Sequence, residues 1–278
     1  MYKITKIINN NIVSSEDKNG NEVILRGLGI GFKNRVGGTV ADDKIEEIYT
    51  VADKTELNKM QQLFDEIPAE YIDVSTEIIE FAESILGKRL NKNIRITLTD
   101  HIDFAIERNR NNINCQNALL SEIINFYPTE YGIGKRAVEM INEKLNENLG
   151  DDEAGFIALH IVNAELDTDM NNMFDITEMI QAATEIVKKH YNREPDIYSM
   201  NYTRFITHMK FFGQRLFKNE LMADDDPVFQ ELIRTRYKED YACAVKIQSY
   251  ISAKYNKTIN EEELTLITIH LRRISKSN

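Results

Sequence analysis

Four of the chain's five histidines stand in two matching pairs. The segment Leu98-Thr99-Asp100-His101-Ile102-Asp103-Phe104-Ala105-Ile106-Glu107-Arg108 aligns with Phe205-Ile206-Thr207-His208-Met209-Lys210-Phe211-Phe212-Gly213-Gln214-Arg215. His, Phe three later and Arg seven later coincide. Further on, Glu153 and His160 align with Glu263 and His270, each glutamate seven positions before its histidine. The two histidines of a copy lie 59 and 62 residues apart, and corresponding histidines lie 107 and 110 apart. That is the signature of two related domains of about 105 residues. On a helix, positions i, i+3 and i+7 share a face, so His101, Phe104 and Arg108 form one stripe, as do His208, Phe211 and Arg215. A lone histidine on an apolar helix face is ordinarily a core or interface residue. Four in equivalent slots, flanked by the same partners, point to chemistry; His190 has no counterpart and reads as a surface residue.

Two chemistries use paired histidines without a nucleophilic Ser or Cys. One is a metal-dependent phosphohydrolase, with Thr99-Asp100-His101 and the helical His160 as ligands and carboxylates completing the shell. The spacing disfavours it: no HExxH occurs, and each copy supplies only two histidines. The cysteines do not help, since Cys115 and Cys243 are 128 positions apart with no CxxC, and read as buried free thiols in helix-like segments. The other chemistry is reversible phosphorylation. Neutral imidazole is nucleophilic near pH 7, and its phosphorylated form carries a nearly dianionic group that recruits Arg or repels acidic surface, biasing a two-state assembly. Arg108 and Arg215, on the histidine stripes, are the candidate phosphate clamps. No catalytic residue, metal or cofactor is assigned.

The elements that position these groups are helices. From about Asp73 the apolar period is helical, with Ile78, Ile79, Ala82, Ile85 and Leu86 on one stripe, Asp73 or Ser75 as start cap and Gly87 as left-handed stop. Stretches 98–110, 115–127, 133–148, 151–166, 174–191, 202–218, 227–255 and 260–275 read alike, and 56–64 reads as a helical linker. The first forty residues differ. They hold six of the twelve glycines and no proline, and six basic side chains against three acidic ones, a net of +3 in a chain of −11. Their apolar residues alternate, and Lys18-Asn19-Gly20-Asn21 is a hairpin signal, so a small antiparallel sheet of about four strands is expected. One such sheet leaves a face or an edge open, which a second copy of the chain would cover most simply. Its Asn9-Asn10-Asn11 and Gly27-Leu28-Gly29-Ile30-Gly31-Phe32 suit RNA: amides pair with base edges, glycine permits close approach, Phe32 stacks, and Lys6, Arg26 and Lys33 neutralise phosphates. The expected architecture is mainly α and multidomain: a β-sheet domain at 1–56, a linker at 57–66, and two homologous all-α bundles at 67–170 and 171–278. No apolar run approaches the roughly 20 residues of a membrane span, and the start lacks a secretory apolar core, so a cytoplasmic protein without membrane insertion is expected.

At these residues the chain resembles the BglG/SacY-type, LicT-like transcriptional antiterminators. The resemblance runs through Lys3-Ile-Thr-Lys6-Ile-Ile-Asn9-Asn10-Asn11, the two histidine segments, Asp151 to Glu165, and Thr268-Ile269-His270. It implies a dimeric N-terminal co-antiterminator domain that binds an RNA hairpin in the leader of a sugar-utilisation operon, of the beta-glucoside kind, and so excludes the terminator. It also implies two phosphotransferase-system regulation domains. The first is inactivated by a sugar-specific enzyme II component, and the second activated by the carrier HPr. Carried over, His101 and His160 are phosphoacceptors of the first domain and His208 and His270 of the second, while Asn9, Asn11, Gly27 and Phe32 fall at RNA-contact positions. The usual Gly-Arg-Gly or Gly-Lys-Gly is here Gly27-Leu28-Gly29, with the cation displaced to Arg26. A one-residue shift on a strand turns a side chain to the other face. The competing regulator, a DNA-binding activator with the same regulatory domains, lacks a helix-turn-helix in this sequence.

Overall fold

The computed structural model describes residues 2–17, 20–32, 34–49, 66–113, 115–168, 170–223 and 226–276. These fall into two compact units, one drawn from Met1–Gln116 and Ile133–Ile157, the other from Asn117–Gly132 and Ala158–Asn278. The 56–64 linker, Lys33, and Lys18 and Asn19 of the hairpin signal lie outside the described residues.

The N-terminal sheet has five antiparallel strands rather than about four: β1 (Tyr2–Ile7), β2 (Ile12–Glu16), β3 (Glu22–Arg26), β4 (Thr39–Val40) and β5 (Glu47–Tyr49), in the order β4-β1-β2-β3-β5. The two edge strands, of two and three residues, are too short to carry a readable period of two. Asp17 closes the β2–β3 turn: its Oδ1 accepts from the Asn21 N–H at 2.8 Å, and Gly20 takes φ +80°. Ile4, Val13, Val23, Leu25, Ile30 and Val40 make the core on one face. On the other face Ile12 and Ile24 are also buried, at 1% and 0% exposure, so β2 and β3 are covered on both sides. Arg26 belongs to this second face, since it pairs in register with Ile12.

Ten α-helices are described after the sheet: α1 (Ala69–Leu86), α2 (Ile94–Arg110), α3 (Leu120–Phe126), α4 (Pro128–Leu145), α5 (Asp151–Leu166), α6 (Met170–Tyr191), α7 (Met200–Lys218), α8 (Pro227–Arg236), α9 (Lys238–Tyr255) and α10 (Glu261–Lys276). α1 starts four residues before the expected cap. Pro68, extended at ψ 137°, precedes its first residue, so Asp73 and Ser75 lie inside the helix instead of capping it. Ser75 is buried and accepts the Thr99 hydroxyl of α2 at 2.9 Å. Gly87 stops the helix at φ +66°, as the sequence indicates. The 115–127 stretch is helical only over α3 and ends at a tyrosine, and the 227–255 stretch is interrupted by another. Tyr127 (φ −128°, ψ 51°) separates α3 from α4, and Tyr237 (φ −119°, ψ 50°) separates α8 from α9. The two breaks are 110 residues apart, the same offset as His160 and His270, so the kink is part of the repeat. Cys115 corrects the expectation of two buried helical thiols: it sits half-buried in the non-helical segment after α2, where Asn112 has turned the chain with φ 54°. Cys243 on α9 is buried, and burial pushes its thiol up to about 12.

Candidate functional site

In the first unit, α2 carries His101 and Arg108 to the N-terminal turn of α5. Glu153 meets both: its Oε1 accepts from Arg108 Nη2 at 2.5 Å, and its Oε2 lies 3.1 Å from His101 Nε2. Burial alone would raise the Glu153 carboxyl, but His101 and Arg108 outweigh it and hold the group below the usual carboxylate range. The aromatic beside His101 is Phe156, with ring centroids 5.9 Å apart, rather than Phe104. Phe104 is 55% exposed and lies under the Arg108 guanidinium, 4.7 Å from its ring centre. A cavity of about 290 Å³ opens beside this pair, lined by Arg108, Asn109, Cys115, Gly150, Asp152 and Glu153.

The second unit repeats the arginine–glutamate pair. Arg215 on α7 donates from Nε and Nη2 to the two oxygens of Glu263 on α10, at 2.8 and 2.7 Å, and Glu263 is fully buried. Removing one partner of such a buried pair costs about 3–5 kcal/mol, because the other charge is stranded. His208 stacks on His270, with centroids 4.5 Å apart and planes 22° apart, and lies parallel to Phe212 at 6.5 Å. Burial, then the neighbouring His270 and Arg215, push His208 down to about 3. Burial, then Arg273 and Arg204, lower His270 as well. Both rings are therefore neutral at pH 7, and a neutral imidazole keeps one unprotonated, nucleophilic nitrogen. Phe211, at the position of Phe104, is again exposed. His160 is buried on α5, and His190 Nδ1 lies 3.0 Å from Lys246 Nζ. Among the described residues no group of three or more His, Cys, Asp or Glu lies at metal-binding distance.

In the sheet, the asparagine triplet and the glycine segment form one hydrogen-bonded loop pair. Asn11 Oδ1 accepts from the Gly29 N–H at 2.9 Å, Asn9 Oδ1 from the Asn11 N–H at 2.9 Å, and the Asn10 carbonyl from the Gly31 N–H at 2.8 Å. Both amide oxygens thus have structural work within the loop pair. A Cβ on Gly31 would overlap the Asn9 carbonyl, and one on Gly27 the Lys44 carbonyl, so both glycines are required by close backbone approach. The loops present Leu28, 82% exposed, and Phe32, 58% exposed, at a cleft of about 450 Å³ completed by Gly29, Asn34, Asp43, Lys44 and Glu46. Lys6 is exposed on β1, in register with Ser14 and so on the face of the sheet that Arg26 also occupies. Arg26 is not in the cleft. Its Nη2 donates to Asp73 of α1 at 2.5 Å, and its Nη1 lies 3.9 Å from Glu46.

The partners of Arg108 and Arg215 escaped the sequence reading, although the signal was present in the glutamate that recurs seven positions before each second histidine. Helical spacing reports which residues share a face, and the carboxylate arrives from another helix.

A glycine-rich sheet with exposed apolar loop tips, ahead of two copies of a histidine-bearing helical unit, defines a modular regulator with an RNA-binding head. The comparisons with known proteins agree. Residues 2–58 match the CAT RNA binding domain family, and residues 76–164 and 177–274 each match the PRD domain family. The chain is 42% identical over 274 residues to Transcription antiterminator LicT of Bacillus subtilis (strain 168), covering 99% of both chains. It is 38% identical over 272 residues to the Beta-glucoside operon antiterminator of Dickeya chrysanthemi, covering 98% of this chain and 96% of that one. A crystal structure of GlcT CAT-PRDI aligns with a TM-score of 0.53 at 35% identity, over 59% of this chain and 97% of that one. The chain belongs to the transcription antiterminators built from a CAT RNA-binding domain followed by two PRD domains. These are regulators, not enzymes, and among the described residues no helix is long and apolar enough to cross a membrane.

Proposed function

We propose that this chain is a cytoplasmic, homodimeric antiterminator that binds an RNA hairpin in the leader of a beta-glucoside-type sugar operon and is switched by histidine phosphorylation. The observation that carries the reading is the pairing, within one chain, of an RNA-type loop surface with two histidine units that each hold an arginine in reserve. Asn9, Asn11, Gly27 and Phe32 form or flank the RNA surface, with Lys6 and Arg26 as the cations of the opposite sheet face. Leu28 stands at the middle position of the Gly-Arg-Gly or Gly-Lys-Gly pattern that the resemblance implies, and it supplies an apolar contact in place of the cation. His101 and His160 receive the inhibitory phosphate from a sugar-specific enzyme II component, and His208 and His270 the activating phosphate from HPr. In this reading the RNA-binding domain spans 1–56, a linker runs to 66, and the two regulatory domains span 67–170 and 171–278.

The test is a reporter gene placed behind the leader hairpin and terminator. His101→Ala is expected to give expression without the inducing sugar at close to the induced level, whereas His208→Ala with His270→Ala is expected to keep expression low with the sugar present. Normal induction in the first variant would remove His101 from the inhibitory role.

A further inference from the structure

In both repeats the arginine that shares a helix face with the first histidine is already held by a carboxylate: Arg108 by Glu153 and Arg215 by Glu263. An arginine fork can exchange one oxyanion for another, and a phosphate dianion outcompetes a carboxylate because it carries more charge and three acceptor oxygens. The second pair also supports a loop. The Glu263 Oε1 that holds Arg215 Nε accepts a second hydrogen bond, from the Met222 backbone N–H at 3.2 Å. Asn260 closes the ring, donating from Nδ2 to the Met222 carbonyl at 2.7 Å and accepting from the Glu263 N–H at 3.1 Å. Segment 219–223, which leads from α7 toward α8, therefore hangs on the carboxylate that holds Arg215. Arg215 lies two turns along α7 from His208, close enough for its charge to act on that ring.

We propose that Glu263 is a positioning residue, the resting counter-ion of Arg215, and that a phosphoryl group on His208 takes the arginine from it and so loosens Met222 and segment 219–223. The inference rests on the reading of His208 as a phosphoacceptor. Once Arg215 turns to the phosphate, Glu263 becomes an uncompensated buried anion facing a dianion. It must take up a proton or swing away, and either change weakens the bond it accepts from Met222.

Full-length protein treated with phosphoramidate tests this. An unprotonated His208 nitrogen attacks phosphorus and forms a new N–P bond as the donor's P–N bond breaks, and ammonia leaves with the ring proton. Peptide mass spectrometry reads the modification at His208, and hydrogen exchange reads the Met222 amide. Phosphorylation is expected to speed that exchange about tenfold, the effect of losing one hydrogen bond to a charged acceptor, and His208→Ala should abolish the gain. Unmodified Glu263→Gln should already exchange fast, and phosphorylation should add less than about twofold. A wild-type protein phosphorylated at His208 whose Met222 amide stays slow overturns the proposal. Absence of phosphohistidine at His208, when the unfolded chain is modified, overturns instead the phosphoacceptor reading and the inference with it. If Glu263→Gln loses its helical circular dichroism, the wild-type and His208→Ala arms still decide.

Discussion

At the scale of single residues, the second unit stores a pH dependence in its stacked histidines. His208, pushed from 6.5 to about 3 by burial, His270 and Arg215, is neutral in the folded chain over a range where it is protonated in the unfolded chain. Between those two values the unfolded state binds more protons, so stability rises with pH: it is fully present above about 6.5 and lost as pH falls toward 3. His270 is shifted in the same direction. Urea unfolding at pH 7, 6 and 5 should show stability falling by up to about 1.4 kcal/mol per unit for each such group, and His208→Gln should flatten the decline. An unchanged slope in the variant would mean that His208 is not held neutral by its surroundings. The histidines were legible in the sequence because the repeat aligned them twice. Their immediate partners were less so: Phe104 and Phe211 share a stripe with His101 and His208 yet face solvent, while Phe156 and Phe212 make the ring contacts. Period gives the face of a helix, and only packing gives what meets it.

At the scale of elements, the sheet's second face departs most from what its sequence implied. Expected to be open, it has Ile12 and Ile24 buried within one chain, and Arg26 on the same face is held by Asp73 of α1 while Arg95 of α2 lies over Tyr49, 5.8 Å from the ring centre. Sequence could not disclose this, because Asp73 read as a helix cap and only the proline-set start of α1 turns it into a side-chain partner. The tyrosine break at 237 was hidden for a related reason: α8 does not end in Gly, and the break lies in a stretch that reads as one helix, whereas the 115–127 stretch already ends at Tyr127. If Arg26 is a phosphate contact restrained by Asp73, releasing it should strengthen RNA binding. Asp73→Asn is expected to tighten the hairpin complex at low salt and to steepen the dependence of log K on log salt by about 0.7–0.9, the increment for one added phosphate contact. A titration with the wild-type slope would leave Arg26 as a structural cation of the sheet–helix contact.

At the scale of the whole molecule, charge separates the part that meets RNA from the part that controls it. Residues 1–40 carry +3, but the segment to residue 58 returns four negative charges, so the RNA-binding domain as a whole is at −1, with eight basic side chains against nine acidic, and the rest of the chain holds −10. RNA approaching the head therefore feels a nearly neutral target beside a strongly acidic one. The reach of that repulsion is set by screening: about 30 Å at 0.01 M salt and about 8 Å at 0.15 M. Association of the hairpin with residues 1–58 should thus be faster than with the full chain by about tenfold at 0.01 M, the two rates converging near physiological salt. Stopped-flow binding of a fluorescent hairpin across that range measures the ratio. A ratio that stays high and constant with salt would point to a different cause, steric cover of the head by the helices, since a covered surface is no more accessible at high ionic strength. A ratio that collapses with salt assigns the restraint to the charge of the regulatory domains, the quantity that each phosphorylated histidine would raise by nearly two.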